Sequence, residues 1–249
     1  MKYMGSKSRI AKYIVPIIQN YINENRIELY VEPFVGGANV IDKIKCCKKV
    51  GNDKNEYLIA LLKRVRDGMS LYDEVPKDLY NQARKAFNNG DTSMFEDWQV
   101  GNIGFLASFN GRWFDGGYAK TGYEKTKNGQ RLRNYYQEAK NNILAQAPNL
   151  KRIEFTHGDY RDIHTNGIKS VIYCDPPYAN TKKYSNASNF NYEEFWQWCR
   201  EMSKENIVIV SEENAPNDFE CIWQQEVSRS IKANDKSKSV EKLFIYSIK

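Results

Sequence analysis

Histidine is nearly missing from this chain, and paired cysteine is missing altogether. Two histidines, His157 and His164, in 249 residues leave little from which to build a zinc site, which takes four close Cys or His ligands when structural. The five cysteines, Cys46, Cys47, Cys174, Cys199 and Cys221, include no Cys-x-x-Cys spacing. Their odd number suits a reducing compartment better than a disulfide framework. No apolar run nears the roughly 20 residues that span a bilayer, and the opening Met-Lys-Tyr-Met-Gly-Ser-Lys has no apolar signal core. A cytoplasmic protein is expected, with no membrane partner and no metal. Two nucleotide signatures are also absent. No glycine-rich turn leads into Gly-Lys-Ser/Thr, and the three-glycine fingerprint that cradles a dinucleotide pyrophosphate does not occur.

What is present is an ordinary globular composition, 41% hydrophobic, with a formal net charge of +6. That charge favours a polyanionic partner without requiring one. The length fits one large α/β domain, or a core with an inserted subdomain. Short apolar, β-branched runs recur at residues 28–32, 48–52, 152–156, 170–175, 206–211, 221–227 and 242–248. Several are continuously apolar, as in parallel strands buried on both faces. Helical patterns separate many of them, at 10–23, 55–66 and 192–203. The first carries Ile10, Tyr13, Ile14, Ile17, Ile18 and Tyr21 at the spacing of one buried face. This alternation predicts a doubly wound, Rossmann-like open sheet. Residues 67–149 interrupt the rhythm with helical, glycine- and aromatic-rich, then helical sequence. We read 1–66 and 150–249 as a catalytic core and 67–149 as a mainly helical subdomain inserted between the second and third core strands. Long helical crossovers are the alternative.

The first strand runs into Pro33-Phe34-Val35-Gly36-Gly37, where glycines let backbone approach a ligand at the carboxyl edge of a sheet. Asp53 stands sixteen residues past Gly37, after the second strand, where an acid commonly accepts hydrogen bonds from a ribose. The pair suggests a nucleoside cofactor without phosphates, which fits S-adenosylmethionine. A tight turn with Asp53 capping a helix explains the same residues.

The decisive segment is Tyr173-Cys174-Asp175-Pro176-Pro177-Tyr178, an apolar strand ending in an acid, two prolines and an aromatic. The lone pair of adenine N6 is delocalised into the ring, so the amine is a poor nucleophile. Accepting a hydrogen bond from each N–H favours rehybridisation, and the Asp175 carboxylate with the Pro176 carbonyl can be the two acceptors. Paired prolines stiffen that loop. Tyr178 offers a stacking face for a base flipped out of the duplex. No Pro-Cys pair is present to serve as the nucleophile of cytosine C5 methylation.

With these residues in place, the chain resembles the Dam-type (D12 class) DNA adenine-N6 methyltransferases. The resemblance rests on Lys2-Tyr3-Met4-Gly5-Ser6-Lys7, Glu32 through Gly37, Asn52-Asp53-Lys54-Asn55, and Tyr173 through Tyr178. It implies a seven-stranded methyltransferase sheet whose last hairpin is antiparallel, and cofactor contacts from Tyr3, Lys7, Asp53 and Asp175. Lys7 would lie near the methionine carboxylate. Phe34 and Gly36 join them from the glycine loop, and Asp159 from Gly158-Asp159-Tyr160, a segment that a turn after a strand explains as well. Ser108-Phe109-Asn110-Gly111-Arg112 resembles the family's Phe-Asn-Gly stretch. The following Trp113-Phe114-Asp115 departs from the Arg-Tyr-Asn pattern tied to GATC, so the target sequence stays open.

Double-stranded DNA is the implied partner. Asn110, Arg112, Lys120, Arg131, Arg133 and Lys182 are candidate contacts, with aromatics between several of them, although a solvated surface explains such charges equally. The resemblance admits a cognate restriction endonuclease as a second partner, and chemistry on one strand at a time suits a monomer. The rival activity is RNA guanine-N2 methylation, since some of those enzymes also carry Asp-Pro-Pro-Tyr. A catalytically dead DNA-binding module is the rival of another class.

Overall fold

The computed structural model describes residues 1–126, 129–177, 190–228 and 238–247, without the side chains of 124–126, 227–228 and 238–239. Its centre is a seven-stranded sheet. In chain order the strands are β1 (Leu29–Glu32), β2 (Lys48–Asp53), β5 (Ile153–His157), β6 (Ser170–Cys174), β7 (Ile207–Glu212), β8 (Phe219–Ser228) and β9 (Lys238–Tyr246). A separate hairpin holds β3 (Gly122–Thr126) and β4 (Gly129–Arg133). Across the sheet the order is β5-β2-β1-β6-β7-β9-β8. The first five strands are parallel, and β9 runs antiparallel to both β7 and β8. This is the expected methyltransferase sheet with its antiparallel closing hairpin.

Strand order reverses between β1 and β6, so a crevice opens beyond their carboxyl ends. Both strands are buried at every position, which explains the apolar runs Leu29–Val31 and Val171–Cys174. Their period of two sorts side chains to opposite faces. Tyr30, Val171 and Tyr173 join one core cluster together with α1 (Ala11–Glu24), α2 (Glu56–Arg66) and α5 (Tyr135–Leu150). Val31, Ile172 and Cys174 join the other, with Phe195, Trp196 and Cys199 of α6 (Tyr192–Met202).

Residues 67–149 also hold α3 (Lys77–Asn88) and α4 (Asp97–Gly101), which leads into a buried π-helical turn, Asn102–Leu106. Tyr80, Ile103, Phe105, Phe114 and Ile143 of this stretch pack in the same cluster as α1 and α2. Gln146 of α5 donates to the carbonyls of Gly37 (3.3 Å) and Ala38 (2.7 Å), bracing the loop that follows β1. The β3–β4 hairpin was not legible as strands. β4 is exposed along nearly its whole length, so it carries no alternation of apolar and polar residues.

Helix α1 corrects one detail of the pattern. Its buried residues are Ala11, Ile14, Ile18 and Ile22, whereas Tyr13 is 41% exposed. Aromatic bulk had drawn the expected stripe toward a neighbouring face. Among the described residues no helix is long and apolar enough to cross a membrane. Replacing Ile18 with Ala is expected to cost about 2–5 kcal/mol in urea unfolding, and Tyr13→Ala about 1 kcal/mol or less. The reverse order would contradict this assignment of the buried face.

Candidate active site

One buried asparagine joins three strand ends. Asn52, 3% exposed, donates through Nδ2 to the carbonyls of Pro33 (3.2 Å) and Gly158 (2.9 Å), and its Oδ1 accepts from the Thr156 hydroxyl (2.9 Å). The Val35 amide donates to the Asn52 carbonyl (2.7 Å), and the Gly158 amide to that of Asp53 (3.2 Å). The loops after β1, β2 and β5 therefore share one hydrogen-bonded frame, and a buried frame of this kind holds its shape only when every polar group is paired.

Asp53 ends β2 within that frame. Its Oδ2 accepts from the Gly36 amide (3.0 Å) and its Oδ1 from the Asn55 amide (3.0 Å). Burial raises its pKa, while those backbone donors pull it down. The helix cap is Asn55, whose side chain accepts from Leu58 N at 2.9 Å, so Asp53 is not needed for that role. A carboxylate has about four acceptor sites, which leaves Asp53 room for a sugar hydroxyl. Gly36 has φ +47°, and a Cβ there would lie 2.9 Å from the Tyr3 ring. The N-terminal segment thus lies across the glycine loop because Gly36 and Gly37 have no side chains to hold it off.

Asp175 follows β6 directly. Lys7, in a short 3-10 turn, is 5% exposed and places Nζ 3.0 Å from Asp175 Oδ1. Burial pushes the Asp175 carboxyl up to about 6, Lys7 opposes that rise, and Glu241 adds to it. Burial also raises the Tyr3 hydroxyl, and the charges of Asp53 and Asp175 act on it in the same direction. Tyr3 therefore sits in the field of both acids. Glu32, 2% exposed at the end of β1, accepts from the Tyr30 hydroxyl at 2.7 Å and is pushed well above the usual carboxylate range by burial.

On the other side of the crevice, the Phe34 ring lies 5.4 Å from Tyr160 and 5.9 Å from both Phe190 and Phe195. Asp159 caps the turn that carries Tyr160, and it accepts from Arg161 Nε (2.8 Å) and Nη2 (3.1 Å). The Arg161 guanidinium holds its carboxyl down at about 2. The donor set at this edge consists of carboxylates, backbone amides and aromatic faces. It suits an adenosyl group without phosphates.

The structure brings Tyr3, Lys7, Phe34, Gly36, Asp53, Asp159, Asp175 and Pro176 to one edge of the sheet. Tyr178 and Lys182 lie outside the described residues. Glu241 and Gln146 escaped the sequence reading, and Glu32 entered it only as part of a motif, with no site role. Glu32 alone left a signal there, a charged residue closing an otherwise apolar strand. The basic candidates divide. Asn110, Arg112, Lys120 and Arg131 are exposed, whereas Arg133 is held by both carboxylate oxygens of Glu138 and lies over the Tyr135 ring. Tyr123 and Leu132 face each other across the β3–β4 hairpin and are 72% and 57% exposed.

Comparison with known proteins agrees with this geometry. Residues 3–215 match the family described as D12 class N6 adenine-specific DNA methyltransferase. The type II methyltransferase M.MjaIII of Methanocaldococcus jannaschii is 28% identical over 218 residues, which is 78% of this chain and 74% of that protein. The DNA adenine methylase of Vibrio cholerae serotype O1 is 29% identical over 203 residues, 76% of this chain and 68% of the relative. RNA guanine methylation is not favoured by these matches. The chain belongs to the D12 class of N6 adenine-specific DNA methyltransferases, and transfers the methyl group of S-adenosylmethionine to adenine in DNA.

Proposed function

We propose that the reaction is organised by Asp175 and Pro176 around a flipped-out adenine. The Asp175 carboxylate and the Pro176 carbonyl each accept one hydrogen of the N6 amine, so its lone pair turns toward the incoming carbon. S-adenosylmethionine, when bound, supplies an electrophilic methyl on a sulfonium. Asp175 and Pro176 would hold the N6 lone pair toward that methyl, and Asp175 would take the proton that N6 gives up as the C–S pair returns to sulfur. Asp53 is the natural acceptor for the ribose hydroxyls, and Phe34 gives the adenine ring an apolar wall. Gly36 keeps the loop open to close approach, and Tyr3 and Lys7 close the site from the N-terminal side. Asp159, already held by Arg161, contributes at the far rim. Tyr178 is assigned the stacking role by its place in the motif.

The observation that carries this reading is a largely buried Asp175 with a charged partner at 3.0 Å, at the switch point of the sheet. The ionised carboxylate is the stronger acceptor and carries the negative charge that favours the developing positive charge on N6. Activity is therefore expected above the Asp175 pKa of about 6 and lost as pH falls through it. Asp175→Asn should lower kcat/KM by roughly 10²–10³, as loss of one preorganised charge-stabilising group does elsewhere. Steady-state rates on a DNA duplex between pH 5 and 9 test both points. A variant within a few-fold of wild type, or a flat acid limb, contradicts the assignment.

We assign target recognition to residues 67–149, with the β3–β4 hairpin as its leading edge. A cation that meets phosphate steepens the salt dependence of binding by about one unit in log–log slope. Removing Lys120 and Arg131 together is expected to flatten that slope by about 2. Arg133→Ala, by contrast, loses its ion pair with Glu138 and is expected to act mainly on stability. Filter binding across salt concentrations separates the two, and an unchanged slope in the double variant takes those residues off the DNA face. The relatives comprise a type II methyltransferase and a DNA adenine methylase, which supports testing for a cognate endonuclease. We take the enzyme to act as a monomer in the cytoplasm.

A further inference from the structure

Lys7 is held between two carboxylates. Its Nζ lies 3.0 Å from Asp175 Oδ1 and 3.2 Å from Glu241 Oε2. Glu241 comes from the far end of the chain, beyond the residues that match the family. The antiparallel course of β9 explains how it arrives. Lys242 pairs with Glu212, the last residue of β7, so the first half of β9 begins where the parallel strands end. The closing hairpin thereby delivers an acid to the catalytic edge.

We propose that Glu241 is a positioning residue for methyl transfer, anchoring the Lys7 ammonium on its second side so that Lys7 orients Asp175 without neutralising it. The inference rests on Asp175 as the acceptor of the N6 hydrogens. An ammonium directs three hydrogens in fixed directions. Two carboxylates at 3.0 and 3.2 Å draw it from two sides, and loss of Glu241 would let Asp175 draw it more closely. A carboxylate so neutralised is a weaker acceptor. Glu241 keeps the trio of Lys7, Asp175 and Glu241 at a net negative charge, where positive charge develops on N6 as the new bond forms.

Among the described residues, the other titratable groups that act with Asp175 are shifted chiefly by their own burial. Glu32, on β1, is pushed well above the usual carboxylate range by burial. The hydroxyls of Tyr3, Tyr173 and Tyr192 and the thiol of Cys174 are all raised by burial and stay protonated. Burial alone would lower the Lys7 ammonium, yet Asp175 and Glu241 together keep it above its ordinary value. Glu241 is thus the charge whose removal lowers the Asp175 pKa.

The test is the pH profile of kcat/KM for the full chain as wild type, Glu241→Gln and Glu241→Asp, with folding checked by circular dichroism. The Gln variant should move the acid limb to lower pH by about half a unit or more and reduce kcat by roughly ten-fold. The Asp variant, which keeps the charge, should restore much of both. An unmoved limb in a folded Gln variant overturns the proposal. Should that variant not fold, Glu241→Met replaces it, and failure of both to fold also overturns it, because Glu241 would then serve the fold. Full activity in Asp175→Asn, run alongside, would instead remove the assignment of Asp175 on which the inference stands.

Discussion

The structure turns on a carboxylate withheld from water. Asp175 sits at the end of a fully buried strand, and an ion taken from water costs several kcal/mol unless it is paired. Lys7 supplies the pairing, and much of the architecture follows from bringing it there. The N-terminal segment has to fold back across the end of β1, which requires that Gly36 present no Cβ to Tyr3. The closing hairpin has to run antiparallel so that Glu241 meets the same ammonium. The compensation is incomplete, and a carboxyl left near pH 6 is the result. An acceptor of that basicity, already oriented, is suited to draw on an amine that otherwise resists alkylation.

Rigidity and reach are divided between two parts of the molecule. Asn52 fixes the ends of β1, β2 and β5, and Gln146 braces the glycine loop from α5. Cofactor contacts on such a frame lose little freedom on binding, as preorganised sites should. Residues 67–149 face both ways. Their helices share the core with α1 and α2, while the β3–β4 hairpin exposes Tyr123 and Leu132 beside Arg131. The exposed hairpin is thus carried by a stretch whose other contacts hold the glycine loop.

Much of this was legible in the sequence because central parallel strands announce themselves. Val171 through Cys174 and Leu29 through Val31 are apolar on both faces, and their ends carry the motifs. Asp175 could be placed because it follows such a strand, and Asp53 because it closes the strand after the glycine loop. Other features depend on the folded chain. Glu241 is one charge in an exposed-looking hairpin until antiparallel pairing brings it to Lys7. Gln146 looks like a polar helix residue until α5 docks on the Gly37 carbonyl. Strand β4 has almost no buried face and so no periodicity to read, and the stripe of α1 was displaced toward Tyr13 because an aromatic ring counts as apolar even where it lies on the surface. Position relative to a buried strand was readable, and pairing across long sequence separations was not.

The most direct measurement is single-molecule sequencing of DNA from a methylation-deficient bacterium that expresses this chain, beside one expressing Asp175→Ala. The account predicts N6-methyladenine at one short motif in the first and none in the second. Unmodified DNA from cells holding soluble wild-type protein, with methylated ribosomal RNA in its place, would contradict it.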